Sequence, residues 1–110
     1  MPRPIDGPTL KSLLEAGEPL QLVDARGCSS YNISHIPGAV ELNRRVAEKR
    51  APKLLDRERP VVVYSADGKS PASGLLARKL EDLGFYPVYD YNDSFADWAG
   101  RGYPVDVVGA

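Results

Sequence analysis

The chain has 110 residues, enough for one compact domain spanning 1–110 with a single two- or three-layer core. Its 14 Lys and Arg against 15 Asp and Glu leave a formal net charge of -1, which argues against a dedicated nucleic-acid or membrane-surface binder. Cys28 is the single cysteine, so an internal disulfide and zinc-finger spacing are excluded, and no apolar run approaches the roughly 18 residues a membrane span needs.

The opening Met1-Pro2-Arg3-Pro4 lacks the apolar stretch of a secretory signal, and the composition reads as a soluble cytoplasmic protein. The first helix is expected to start at Thr9, an N-cap after Pro8, with Leu10, Leu13 and Leu14 on one face and Gly17 as its stop. Residues 19–26, PLQLVDAR, read as a strand too apolar for an exposed edge. Residues 27–42 read as a loop with one helical turn, a bend at Ile36-Pro37-Gly38, and a short strand over 39–42. Asn43 is expected to cap a charged helix through Arg50, which Pro52 closes.

Pro60 precedes the strongest strand, 61–65. After it, Ser70 as N-cap and Pro71 as first residue open a helix whose Ala72, Leu76, Leu80 and Leu83 share a face and which Gly84 ends. Gly74 inside that helix costs about 1 kcal/mol relative to Ala, which close packing against a neighbour would explain. Residues 87–91 form another strand, and Asp93 or Ser94 caps a short helix carrying Phe95 and Trp98 as core residues, ended by Gly100 and Gly102. Strands alternating with helices imply an α/β fold with a parallel sheet covered on both faces. Sites in such sheets form beyond the carboxyl ends of the strands, here at 24–28 and 65–70.

The loop Ser65, Ala66, Asp67, Gly68, Lys69, Ser70 is the chief candidate site. A tight loop entering a helix turns several N–H groups inward, and these with the helix dipole favour an anion, to which Lys69 adds charge. An ordinary strand-to-helix connection, with Ser70 capping and Lys69 solvated, fits the same residues. The Gly68-Lys69-Ser70 triplet is not a nucleotide-binding loop, because that motif requires a glycine where Val63 stands.

Five segments, in order, resemble the rhodanese-like sulfurtransferases. LVDAR (22–26) is similar to the family's L-[IV]-D-[VT]-R, and YNISHIPGA (31–39) to its E-Y-x-x-G-H-I-P-G-A. VVVYS (61–65) resembles the strand that delivers the catalytic cysteine. LGFYPVYDY (83–91) and DWAGRGYPV (97–105) resemble the closing L-G-[FY]-x-x-V-x-x-L and A-W-x-x-x-G-x-P-V. The resemblance implies the rhodanese-like α/β fold, a central parallel sheet of about five strands flanked by helices on both faces. Active members carry sulfur as a cysteine persulfide on a loop C-x-x-G-x-R-S. Ser65 falls at the cysteine, Gly68 at the glycine, Ser70 at the arginine and Pro71 at the serine, and the stretch to Gly84 is about two residues longer than usual.

Sulfur transfer needs a thiolate that stores sulfane sulfur as an S–S bond, and a serine hydroxyl forms no comparable carrier. Serine becomes a nucleophile only beside a base. The only histidine, His35, is expected to hold the H-I-P-G turn by hydrogen bonding. Cys28 is the alternative nucleophile if Arg26 lies close; otherwise it is a small loop residue. Asp24 and Arg26 are expected to brace the site. The cations Arg44, Arg45, Lys49, Arg50 and Lys53 read either as a solvated helix or as a surface for an acidic partner. The leading expectation is a rhodanese-like domain lacking the active-site cysteine, a non-catalytic binding or regulatory module with a residual anion-binding loop and a small anion or a protein as partner. The alternative is an active sulfurtransferase using Cys28 or a partner's thiol. No cofactor, metal, nucleic acid or membrane is expected.

Overall fold

Val61–Tyr64 forms the central strand because four consecutive β-branched and aromatic side chains can be buried on both of its faces. In the computed structural model, which describes residues 1–107, all four are fully buried. Val61 and Val63 point into one apolar layer and Val62 and Tyr64 into the other, the two-residue alternation of a strand covered twice.

The elements run β1 (Arg3–Pro4), α1 (Gly7–Glu15), β2 (Gln21–Asp24), α2 (Cys28–Ile33), β3 (Ser34–His35) and β4 (Val40–Glu41). A 3₁₀ turn (Arg44–Val46) leads into α3 (Ala47–Leu54). Then follow β5 (Val61–Tyr64), α4 (Ala72–Asp82), β6 (Val88–Tyr91), α5 (Ser94–Gly100) and β7 (Asp106–Val107). Five strands in the order β1-β6-β5-β2-β4 make one parallel sheet. β3 and β7 pair separately as an antiparallel ribbon. Ala47 and Ala51 of α3 and Leu76, Ala77 and Leu80 of α4 pack on one face with Val23, Val61, Val63 and Val88. Leu10 of α1 and Trp98 of α5 pack on the other with Leu22, Val62, Tyr64 and Tyr91. The α/β architecture with a five-stranded parallel sheet is the one expected.

Several boundaries differ, each for a local reason. Helix α1 begins before Thr9, because the Asp6 carboxylate accepts the Thr9 N–H at 2.8 Å and so supplies the cap itself. The strand expected over 19–26 is limited to β2, since the Arg26 N–H leaves the ladder for the Asp24 side chain at 2.8 Å. Asn43 does cap the following turn, accepting the Arg45 N–H at 2.6 Å. The helix after it passes through Pro52 to Leu54. Pro52 is exposed and forfeits one backbone bond in a helix that buries Ala47 and Ala51 one turn apart. Helix α4 starts at Ala72 instead of Pro71, with Ser70 Oγ accepting the Ala72 N–H at 3.3 Å. Its buried face is Ser73, Leu76, Ala77 and Leu80, with Ala72 and Leu83 at the margins. Gly74 is closely approached: a Cβ there would lie 3.3 Å from Asp90 Oδ2.

Candidate functional site

Strands β2 and β5 are hydrogen-bonded neighbours in parallel register, with Asp24 opposite Tyr64. Their carboxyl ends therefore deliver the two candidate segments side by side, and the Ala25 N–H reaches the Tyr64 carbonyl at 2.8 Å.

Ser65 follows β5 directly and is 1% exposed. Its N–H donates to Ser94 Oγ at 3.0 Å, and the two hydroxyl oxygens lie 3.2 Å apart. Ser94 Oγ donates its one proton to the Tyr91 carbonyl at 2.9 Å. The remaining lone pair of Ser94 is therefore the acceptor, and the Ser65 hydroxyl is the donor. The Ser65 and Ala66 carbonyls accept the Phe95 and Ala96 N–H groups at 3.0 and 2.9 Å, stitching the loop to the start of α5. Ser94 itself has a φ of 65°, the left-handed region that an L-residue occupies only under constraint.

Beyond Ser65 the loop turns on Asp67. Asp67 Oδ1 accepts the Lys69 N–H at 2.9 Å and the Ser70 N–H at 3.1 Å, and the Ser70 N–H also reaches the Asp67 carbonyl at 3.2 Å. Two of the donors expected to face an external anion are thus turned onto a carboxylate of the same loop. Ala66, Asp67, Gly68 and Lys69 are all exposed.

On the β2 side, Asp24 is fully buried and forms a forked ion pair with Arg26, Nη2 to Oδ2 at 2.7 Å and Nε to both oxygens at 3.0 and 3.1 Å. The Tyr64 hydroxyl donates to Asp24 Oδ2 at 2.9 Å and accepts the Ile36 N–H at 3.1 Å. Burial, reinforced by the Asp24 carboxylate, pushes the Tyr64 hydroxyl far above the usual phenol range. The guanidinium carbon of Arg26 sits 4.1 Å from the Phe95 ring centre. Asp24 and Arg26 therefore brace the end of β2, the turn before Ile36 and the start of α5 at once.

His35 is not brought to Ser65. Its Nδ1 lies 2.9 Å from the Tyr31 carbonyl, which can only accept, and its ring stacks on Tyr31 at 3.9 Å and 3°. It holds the α2–β3 corner, the expected structural role. Cys28 is exposed as the first residue of α2. Arg26 is not offered to it, because that guanidinium is committed to Asp24 and to the Ser34 carbonyl.

Two contacts escaped the sequence reading, the fold-back of Asp67 onto its own loop and the grip of Ser94 on Ser65. Asp67-Gly68 is a common turn signature that could have shown the carboxylate folding back on its own loop. Ser94 carried no such signal, since its backbone conformation and its role are imposed by contacts with Ser65 and Tyr91.

Residues 7–101 match the family model for the Rhodanese-like domain. The chain is 28% identical over 91 residues to the putative sulfur carrier protein YrkF of Bacillus subtilis, covering 83% of this chain but only 48%, about half, of that protein. It is 34% identical over 79 residues to the thiosulfate sulfurtransferase GlpE of Shewanella oneidensis, covering 72% of this chain and 75% of that one. Among solved structures, the rhodanese-like domain of the Alr3790 protein from Anabaena is similar with a TM-score of 0.86 at 30% identity. That similarity covers 98% of this chain and 81% of the other.

Proposed function

The chain belongs to the rhodanese-like domain family, and from that premise we propose that it is a binding or regulatory module without ordinary sulfurtransferase activity. The observation that carries this reading is the hydroxyl of Ser65 at the end of β5, whose side-chain partner among the described residues is the Ser94 hydroxyl at 3.2 Å and not a base. A serine in that state neither attacks sulfane sulfur nor stores it. The loop keeps the donor-rich form of an anion seat, but Asp67 serves as its anion. An external anion enters only in exchange for that carboxylate. We place the protein in a reducing cytoplasm, where the exposed Cys28 stays a thiol.

The test is the thiosulfate and cyanide assay on the wild-type protein, with intact-mass detection of retained sulfur. Turnover at the no-protein background and an unchanged mass are expected. Turnover that survives Cys28→Ser overturns the reading. A second reading rests on the exposure of Cys28 at the head of α2 and on relatives named as a sulfur carrier and a sulfurtransferase. Here the Cys28 thiolate, or a partner's thiolate, attacks the sulfane sulfur of thiosulfate, the S–S bond breaks, and sulfite leaves with its electron pair. It predicts a gain of one sulfur on wild type that Cys28→Ser abolishes.

A further inference from the structure

Most cations of this chain have a partner. Arg26, Arg50, Lys79, Arg101 and Lys11 pair with carboxylates, Arg57 and Arg59 donate to carbonyls, and Arg3 donates to Tyr86. Among the described residues, Arg44, Arg45, Lys49, Lys53, Lys69 and Arg78 have none, and the first four are exposed within one ten-residue stretch. Glu48, the only acid of that stretch, lies 3.7 Å from Lys79 of α4. Lys49 and Lys53 of α3 are four residues apart, the spacing at which like charges on a helix repel, and Arg44 and Arg45 precede them in the 3₁₀ turn. A chain of net charge -1 thus carries four of these six unpaired cations on the 3₁₀ turn and α3.

Apolar surface lies beside the charge. A cavity of about 190 Å³ opens beyond the carboxyl ends of β2 and β4, next to the start of α4. Ala25, Ala72, Leu75 and Leu76 line it on one side and Arg44 and Arg45 on the other. Leu75 in its lining is more than a third exposed.

We propose that the 3₁₀ turn and α3, with this cavity, form a docking surface for an acidic protein segment that carries an aliphatic side chain between its carboxylates. The aliphatic group seats against Leu75, and the flanking carboxylates meet Arg44 and Arg45. Complementary charge selects the partner's sign and speeds encounter, and the buried aliphatic group supplies affinity. Nucleic acid is disfavoured because the cavity has no aromatic wall for base stacking and the molecule as a whole is slightly acidic. The proposal deepens the reading of the domain as a binding module and names the class of partner.

The experiment is fluorescence anisotropy with a labelled synthetic peptide of alternating glutamates and leucines. An oligothymidylate of equal charge and a lysine–leucine peptide are measured beside it. Wild type binds the acidic peptide, less tightly as salt rises, and prefers it to both comparison probes. Arg44→Glu with Arg45→Glu weakens it by about tenfold or more. Arg3→Glu, on the opposite edge of the sheet, leaves it unchanged. Leu75→Ala weakens binding without altering the salt dependence, which keeps the cavity testable should the double reversal misfold. Absence of binding, equal binding by the folded double reversal, or tighter binding of the oligothymidylate overturns the proposal. None of these outcomes bears on sulfur transfer, which the thiosulfate assay reads separately.

Discussion

Ser94 holds the Ser65 N–H on its own hydroxyl oxygen at 3.0 Å from a backbone whose φ is 65°. The contact sets the direction in which the chain leaves β5, and it places an unfavourable conformation where hydrogen bonds must offset it. Ser94→Ala removes the acceptor for Ser65 and the donor to Tyr91 while keeping the conformation, and should cost about 2 kcal/mol. Ser94→Gly loses the same bonds but relieves the left-handed backbone, which recovers about 1 kcal/mol. Urea unfolding checks the order. A glycine variant less stable than the alanine variant contradicts it.

Asp67 makes a prediction about latent chemistry. Ser65→Cys alone should remain unmodified by thiosulfate, since the Asp67 carboxylate both repels the dianion and occupies the Lys69 and Ser70 N–H groups. Ser65→Cys combined with Asp67→Gly and Ser70→Arg should retain a sulfur atom, visible by intact mass. Ready labelling of the single variant would show that Asp67 does not block the loop.

The Asp24–Arg26 pair predicts a large stability effect. Arg26→Ala leaves a fully buried carboxylate with the Tyr64 hydroxyl as its remaining side-chain donor, and should cost about 3 kcal/mol. Arg26→Lys should recover little, because an ammonium cannot reproduce the fork or lie flat on Phe95. Thermal melts of the two variants decide the point, with near-wild-type behaviour of the lysine variant as the contrary result.

Acidification should act through the cap of α1. Hydrogen bonds from Thr9 hold the Asp6 carboxyl below its ordinary range. The folded chain therefore binds the proton less well than the unfolded chain. The stabilisation is complete above the ordinary carboxylate range and is lost as pH falls through the folded-state value. Asp6→Asn keeps a capping oxygen without the titration. The stability of wild type relative to Asp6→Asn should decline as pH drops below the carboxylate range. A difference that stays flat across that interval rules the linkage out.

Much of this molecule is legible in its residues, and the part that is not has physical causes. Val61–Tyr64 and the Leu76/Leu80 spacing announce a doubly covered strand and its helix, because burial leaves a periodic record. Chain order then places Asp24 beside Tyr64, as parallel pairing requires. Strand β1 leaves no such record: Arg3 and Pro4 pair with Tyr89 and Asp90, but neither favours a strand. Of the candidate site, Ser65, Asp24, Arg26 and the structural role of His35 follow from motif and chemistry. The grip of Ser94 on Ser65 is tertiary, between residues far apart in sequence. The inward fold of Asp67 is local, set by its carboxylate accepting the Lys69 and Ser70 N–H groups.

Each margin of the sheet is a strand of only two residues, β1 on one side and β4 on the other. On the β1 margin, Pro4 offers no amide hydrogen and Arg3 brings charge, so an incoming chain finds no ladder to extend. Shaving off the first five residues would uncover the free edge of Val88–Tyr91, a longer strand in which only Asp90 is charged. The charged, proline-bearing edge strand thus leaves the sheet no free ladder on that side, and removing it should raise light scattering by the folded protein.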